Sequence, residues 1–473
     1  MTAARTWVAA AVLSFGCSLQ AATITVDTSG DGPDEGFNDP TPVVSPVGGN
    51  DGTTLGQQRL NVFQAAADQW GQLLDSSVTI VVAATFDSKF CSGNAATLGS
   101  AGPTHSVNNF SGAPMTDVAY PAALGDSLAG TNLRPGISAD ISASFNSDLD
   151  GGSGCGLNWY YGLDGNPPGG AINLYSIVLH ELAHGLGFAS LTAVSDGQDG
   201  SFSGVDGDPD AFSLNLLDQQ ENLFWDEMNN SQRLASARND PNLVWGGSAV
   251  AADTTNWLDF APEVNGTSTV PAVLGREPDA TIPPGGVTAS VVDGDTLGDG
   301  DACDDGFNAG GAFNGNIVLV ADAGPTCPPA FQAFFAEFEG AVGLIVVSTE
   351  PSGFPDMSIT ISNQDVNIPY VGIESGSAAA ISFPSTTIRT STTTLIGENN
   401  GQIRMFAPAT FDDGSSVSHW TSDATGDLLM EPTAGDLAFD QVDLTPAAFQ
   451  DMGWNLLTGT PDVILFSSFE AGE

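Results

Sequence analysis

His180-Glu181-Leu182-Ala183-His184-Gly185-Leu186-Gly187-Phe188 is the stretch on which the reading of this chain turns. Residues four apart on a helix lie on one face, one turn above each other. His180 and His184 can therefore offer two imidazoles to one metal ion. Glu181 stands one step round the helix, beside such an ion, where it can take a proton from water. The lead-in from Ala171 to Leu179 is apolar, as a buried helix requires. Gly187 can adopt the left-handed conformation that ends a helix. The competing reading is an accidental spacing on a core helix, but the chain has four histidines and two of them fall here.

Of 473 residues, 57 are acidic and nine basic, for a net charge of −48. A nucleic-acid partner is excluded, since phosphates would be repelled, and an anionic membrane surface is disfavoured. With 41% hydrophobic residues the chain is nonetheless globular, and its length calls for two or three domains. Residues 1–22 read as a secretory signal peptide: Arg5, an apolar run from Trp7 to Phe15, and small residues Ala21 and Ala22 for cleavage. A lipoprotein site at Cys17 is a weaker reading of the same segment. No other run is long enough to span a membrane. Removing the signal leaves Cys91, Cys155, Cys303 and Cys327. An even count in an exported chain suggests two disulfides. Three pairings exist, and Cys91–Cys155 with Cys303–Cys327 keeps each bridge within one expected domain. Nothing in the sequence assigns an oligomeric state.

Around the central stretch the pattern predicts a strand at Thr23–Val26, a helix over Leu55–Leu74 and strands at Ser77–Phe86 and Ile137–Phe145. Residues 211–260 read as helical. The acidic loop Asp196–Asp210 and the run Asp293–Asp305 could hold Ca2+, although neither has the full EF-hand pattern and a solvated loop is the plainer reading. From about residue 270 to 395 the texture changes, with buried-strand runs at Ile317–Val320 and Gly343–Val347, a helix at Phe331–Phe338 and an alanine-rich helix at Ser375–Ile381.

His-Glu-x-x-His is the signature of zinc metallopeptidases, and a catalytic zinc usually takes three protein ligands. In the compact metzincin spacing the third ligand would fall on Ser190, which is unsuited to zinc. The remaining histidines are His105, in a loop, and His419, in Ser418-His419-Trp420 ahead of Leu428-Leu429-Met430-Glu431-Pro432. Here the chain resembles the leishmanolysin-like branch of the metzincins, in which a glycine follows the second histidine, residues are inserted, and a third histidine precedes a Met-turn. The resemblance implies His180, His184 and His419 as ligands of one catalytic Zn2+, Glu181 as general base, Met430 as the structural Met-turn residue and Gly187 as the turn glycine. His105 or a carboxylate stays open as the third ligand. The inserted stretch resembles a protease-associated (PA) domain through Asn316–Val320, Gly340–Val347 and Ile368–Ile373.

The expected fold class is α+β: a metzincin-type zincin domain, a twisted sheet plus active-site helix, interrupted by a small α/β PA domain. Its catalytic part would span residues 23–268 and 399–458, the PA insert 269–398, and a tail 459–473. An insert reconciles the 235 residues between His184 and His419 only if its ends lie close together. The implied function is a secreted zinc metalloendopeptidase acting on protein or peptide substrates. The alternatives are a small-peptide peptidase and an exported binding or adhesion protein with a structural zinc and a ligand-holding PA domain.

Overall fold

A computed structural model describes residues 20–93, 95–150, 155–296, 303, 311–351, 353–362, 365–381, 384–425, 427–434 and 440–457. Most of the expected signal segment, the tail 459–473 and much of Asp293–Asp305 lie outside them. The chain is a mixed α/β protein that divides into two compact units, residues 1–258 with 397–473, and residues 259–396.

The first unit is built on a four-stranded sheet. β1 (Ile24–Asp27), β2 (Ile80–Asp87) and β4 (Ile141–Asn146) run parallel, and β3 (Gly99–Pro103) pairs antiparallel with β4 at the edge, giving the order β1–β2–β4–β3. Ile80, Val82, Ala84 and Phe86 alternate inward along β2. α1 (Leu55–Leu73) starts at Thr54, whose side chain accepts the Gln57 N–H, and buries Val62, Phe63, Ala66 and Trp70. The Trp70 indole N–H donates to the Leu179 carbonyl at 3.0 Å, which ties α1 to α2 (Leu174–Leu186).

α2 begins at Leu174 rather than at Ala171. Ala171–Asn173 pairs as a short parallel strand with Asn158–Tyr160, and the Asn173 side chain caps the helix by accepting the Tyr175 N–H. Gly187 ends it at φ +122°, and the Phe188 N–H returns to the Ala183 carbonyl at 2.9 Å. Gly185 lets the helix lie against β4, because a Cβ there would run into the buried Ile141 side chain.

The segment 211–260 is less helical than its pattern predicts. It holds short strands at Leu216–Asp218, Leu223–Phe224 and Leu243–Trp245, and two helices, Asn230–Ser236 and α3 (Ser248–Trp257). The reason is local: Asp218 accepts the Gln220 and Glu221 N–H groups and turns the chain, and Gly246-Gly247 breaks it again.

The second unit packs two sheets. β5 (Phe260–Asn265) pairs antiparallel with β9 (Thr386–Leu395), so the unit starts at Asp259, ahead of residue 269. β6 (Ile317–Ala321), β7 (Gly343–Val347) and β8 (Tyr370–Ile373) form a parallel run, with α4 (Pro329–Phe338) crossing between β6 and β7. Their continuous apolar runs are buried on both faces. Val318, Val320, Leu344 and Val346 meet Ala330, Ala333 and Ala336 of α4. Ile317, Ile345 and Val371 meet Val264 and Ile388. The alanine-rich stretch is a 3-10 helix, Ser375–Ala380. The two ends of the unit meet where the Ile396 N–H donates to the Asp259 carbonyl at 2.9 Å.

The chain closes with α5 (Thr445–Met452) in the first unit. Asp451 of α5 is buried and accepts the Ala249 and Val250 N–H groups and the Trp245 indole, supplying the anion at the N-terminus of α3. Disulfides join Cys91 to Cys155 and Cys303 to Cys327.

Gly185→Ala tests the seating of α2. Helix propensity alone would favour alanine by about 1 kcal/mol, but overpacking against Ile141 costs about 1–3 kcal/mol. The variant should unfold at lower temperature than the parent, and Ile141→Ala combined with it should cost less than the two changes separately.

Candidate metal centre

α2 brings His180 and His184 to one side, and the segment Ser415–Trp420 brings His419 to them. The three Nε2 atoms form a triangle with edges of 3.1, 3.2 and 3.2 Å. Each Nδ1 faces a backbone carbonyl: His180 the Leu429 oxygen at 2.6 Å, His184 the Phe188 oxygen at 2.7 Å, His419 the Ser415 oxygen at 2.7 Å. A carbonyl only accepts, so each Nδ1 carries the hydrogen and each Nε2 presents a bare lone pair. Three facing acceptors have no hydrogen to share. Burial disfavours protonating any of the rings and pushes His184 down to about 3. A cation resolves the arrangement. Tetrahedral ligands at 2.0–2.1 Å stand about 3.3 Å apart, close to the observed edges, and a three-imidazole set suits zinc. His184 and His419 are buried and His180 is half-buried. Among the described residues this is the one group of three or more His, Cys, Asp or Glu side chains that converges tightly enough to hold an ion.

Glu181 is 6% exposed. Burial pushes its carboxyl up to about 8, against the opposing pull of Lys89 and a backbone hydrogen bond from Ala101. The edge strand β3 lies directly against it: a Cβ on Gly99 would stand 2.8 Å from Glu181 Oε1. Glycine at 99 therefore leaves the carboxylate its space.

Two layers hold His419. Its carbonyl accepts the Phe406 N–H, and the Trp420 N–H donates to the Met430 carbonyl at 2.8 Å. Phe188, Trp245 and Trp420 form a buried aromatic group in which Phe188 and Trp245 stack and Trp420 meets both edge-to-face. Met430 is fully buried, in the turn whose Leu429 carbonyl receives His180. Ser190, at the compact ligand spacing, is not in the triangle. Its N–H donates to Ser418 Oγ at 3.1 Å and its hydroxyl meets Ser213 Oγ at 2.8 Å. His105 is also elsewhere, its Nδ1 facing Thr104 Oγ1.

The acidic loop Asp196–Asp210 gives calcium no support. Asp206 and Asp208 accept from the Asn108 amide, and Asp210 is buried, accepting from Ser213 and the Leu191 N–H. The reading of that whole loop as solvated fails at Asp210. Two further carboxylates are buried: Glu431, which lies in the Leu-Leu-Met-Glu-Pro segment without a role assigned from it, and Asp443, which no motif marks in the sequence.

A family model described as SPBPB7E8-like matches residues 49–199, which include α1, β2 to β4 and α2 with its two histidines and Glu181. A PA-domain model matches residues 287–381, within the second unit, and that stretch is a PA domain. No curated protein sequence matches the chain. Two structures of BSAP, a zinc aminopeptidase from Bacillus subtilis, show slight similarity. One has a TM-score of 0.23 at 18% identity over 30% of this chain and 36% of that one. The other has a TM-score of 0.22 at 16% identity over 31% and 37%. The chain thus spans little more than a third of that protein's length, and a likeness this small carries no chemistry across.

Equilibrium dialysis of the metal-free chain against Zn2+ should find one tightly held ion in the parent and in His105→Ala. It should find none held tightly in His419→Ala or His184→Ala.

Proposed function

We propose that this chain is an exported zinc endopeptidase of the leishmanolysin-like metzincin type, with His180, His184 and His419 as zinc ligands, Glu181 as general base and the PA domain as a substrate-handling module. The observation that carries the reading is the triangle of bare Nε2 atoms with a buried carboxylate on the next helix position. The buried Met430 beneath the Leu429 carbonyl supports the Met-turn assignment. The two disulfides suit an oxidising compartment. Among the described residues no helix is long and apolar enough to cross a membrane.

His180, His184 and His419 would hold the zinc, which when bound would supply Lewis acidity toward a scissile carbonyl and a water molecule. Glu181 accepts the proton of the attacking water and passes it to the leaving amine. To accept it the carboxylate must be ionised. The positive charge of Lys89 and the Ala101 backbone bond favour that form against burial, and a cation on the neighbouring histidines pulls the same way. Among the described residues the outer edge of β3 pairs with no other strand of its sheet, and β3 runs beside Glu181. Its backbone can receive an extended polypeptide by strand addition, which favours cleavage within a chain. A purely structural zinc would close its fourth position with a fourth ligand and would have no use for an adjacent carboxylate.

The purified chain lacking residues 1–22 should cleave an unfolded protein substrate, with internal fragments as products, and a zinc chelator should abolish this. Glu181→Gln should lower kcat by about 10²–10⁴-fold while retaining one zinc per chain. Zinc retained without cleavage by the parent would count against the peptidase reading.

A further inference from the structure

The turn Leu428–Glu431 hangs on two buried carboxylates. Glu431 is 6% exposed, and its Oε1 accepts the Leu428 N–H at 3.0 Å, while its own N–H donates to the Leu428 carbonyl at 3.1 Å. Asp443 is 3% exposed and accepts the next N–H, that of Leu429, together with the Thr445 hydroxyl at 3.4 Å. Among the described residues no Arg or Lys ion-pairs with either carboxylate. Asp443 also holds a φ of +35°, in the left-handed region that non-glycine residues adopt at a cost.

A tight turn alone does not call for this. Burying a carboxylate without a cation is expensive, and an amide or hydroxyl could accept the same N–H groups for less. What distinguishes the turn is where its carbonyls go. The Leu429 oxygen receives the His180 Nδ1–H at 2.6 Å, and the Met430 oxygen receives the N–H of Trp420, the residue after His419. Leu429 is thus held by an anion at its N–H and meets an imidazole at its carbonyl, two groups of adjacent peptide units joined through one Cα, so that fixing the first fixes where the second points. Both carboxylate oxygens of Asp443 accept, one from the Leu429 N–H and one from the Thr445 hydroxyl, so an amide in its place would have to give up one of these donors. Partners of a ligand's second nitrogen fix the ring and raise its basicity.

We propose that Asp443, assisted by Glu431, is a positioning residue of the metal centre. It fixes the backbone of Leu429, so that its carbonyl holds His180 with Nε2 turned inward, and it thereby sets how tightly the ion is bound. The inference rests on reading the three histidines as metal ligands.

The test compares metal-free parent, Asp443→Asn, Glu431→Gln and, as control, Asp451→Asn. Asp451 is equally buried at 3% exposure but serves the N-terminus of α3. Zn2+ affinity is measured by competition with a chromophoric chelator, and the ligand field by the visible spectrum of the Co2+-loaded protein. Asp443→Asn should bind Zn2+ about 10–100-fold more weakly and shift the Co2+ bands. Glu431→Gln should weaken binding in the same direction by less. Asp451→Asn should unfold at lower temperature with affinity and spectrum unchanged. Parent-like affinity and spectrum in both Asp443→Asn and Glu431→Gln overturn the inference, and so does an equal loss in Asp451→Asn. If Asp443→Asn does not fold, Glu431→Gln decides, with an intact near-UV spectrum as its proof of folding. A parent that takes up no Zn2+ would instead show that the ligand reading itself has failed.

Discussion

Three imidazole N–H groups donating to three backbone carbonyls are the constraint on which the centre depends. The Leu429, Phe188 and Ser415 oxygens choose the tautomer of His180, His184 and His419, and in doing so turn three lone pairs onto one point. Each carbonyl belongs to a different piece of backbone. Phe188 lies just past the helix end that Gly187 makes, Ser415 in the segment ahead of His419, and Leu429 in the turn beneath. Much of the first unit around the helix serves to hold those pieces. The Phe188 and Trp245 rings stack, Trp420 meets both edge-to-face, and the Trp454 indole donates to the Leu186 carbonyl at the end of α2.

The long separation between the second and third histidines is handled by topology. The intervening unit begins and ends on one antiparallel strand pair, β5 with β9, and its terminal residues Asp259 and Ile396 are hydrogen-bonded to each other. A chain that leaves and re-enters at neighbouring points can carry a folded insert while the segments on either side stay in register. The second unit, which contains the PA domain, has its own two-faced core, centred on the parallel strands β6 to β8, and among the described residues both of its clusters draw on that unit's own side chains.

Local patterns were readable where one period dominated. The four-residue spacing of His180 and His184 and the inward stripe of α1 follow from helix geometry, and β2 was legible from its run of Val, Ile and Thr. The segment 211–260 misled because its apolar residues fall at intervals that suit a helix, while Asp218 and Gly246-Gly247 cut it into short pieces. That His419 converges on the other two follows from no local spacing. It emerges through the Ser-His-Trp and Leu-Met-Glu-Pro segments taken together, and in the fold through bonds that bridge more than two hundred residues. Glu431, Asp443 and Asp210 were illegible for a different reason. On an acid-rich chain one carboxylate looks like another, and only the fold shows which are buried and what each accepts.

X-ray absorption at the zinc K-edge of the zinc-loaded chain tests the central claim most directly. The account predicts a first shell with three imidazole nitrogens at about 2.0–2.1 Å, identified by the outer-shell scattering of the rings. A shell containing sulfur at about 2.3 Å, or one made of oxygen without imidazole, would contradict it.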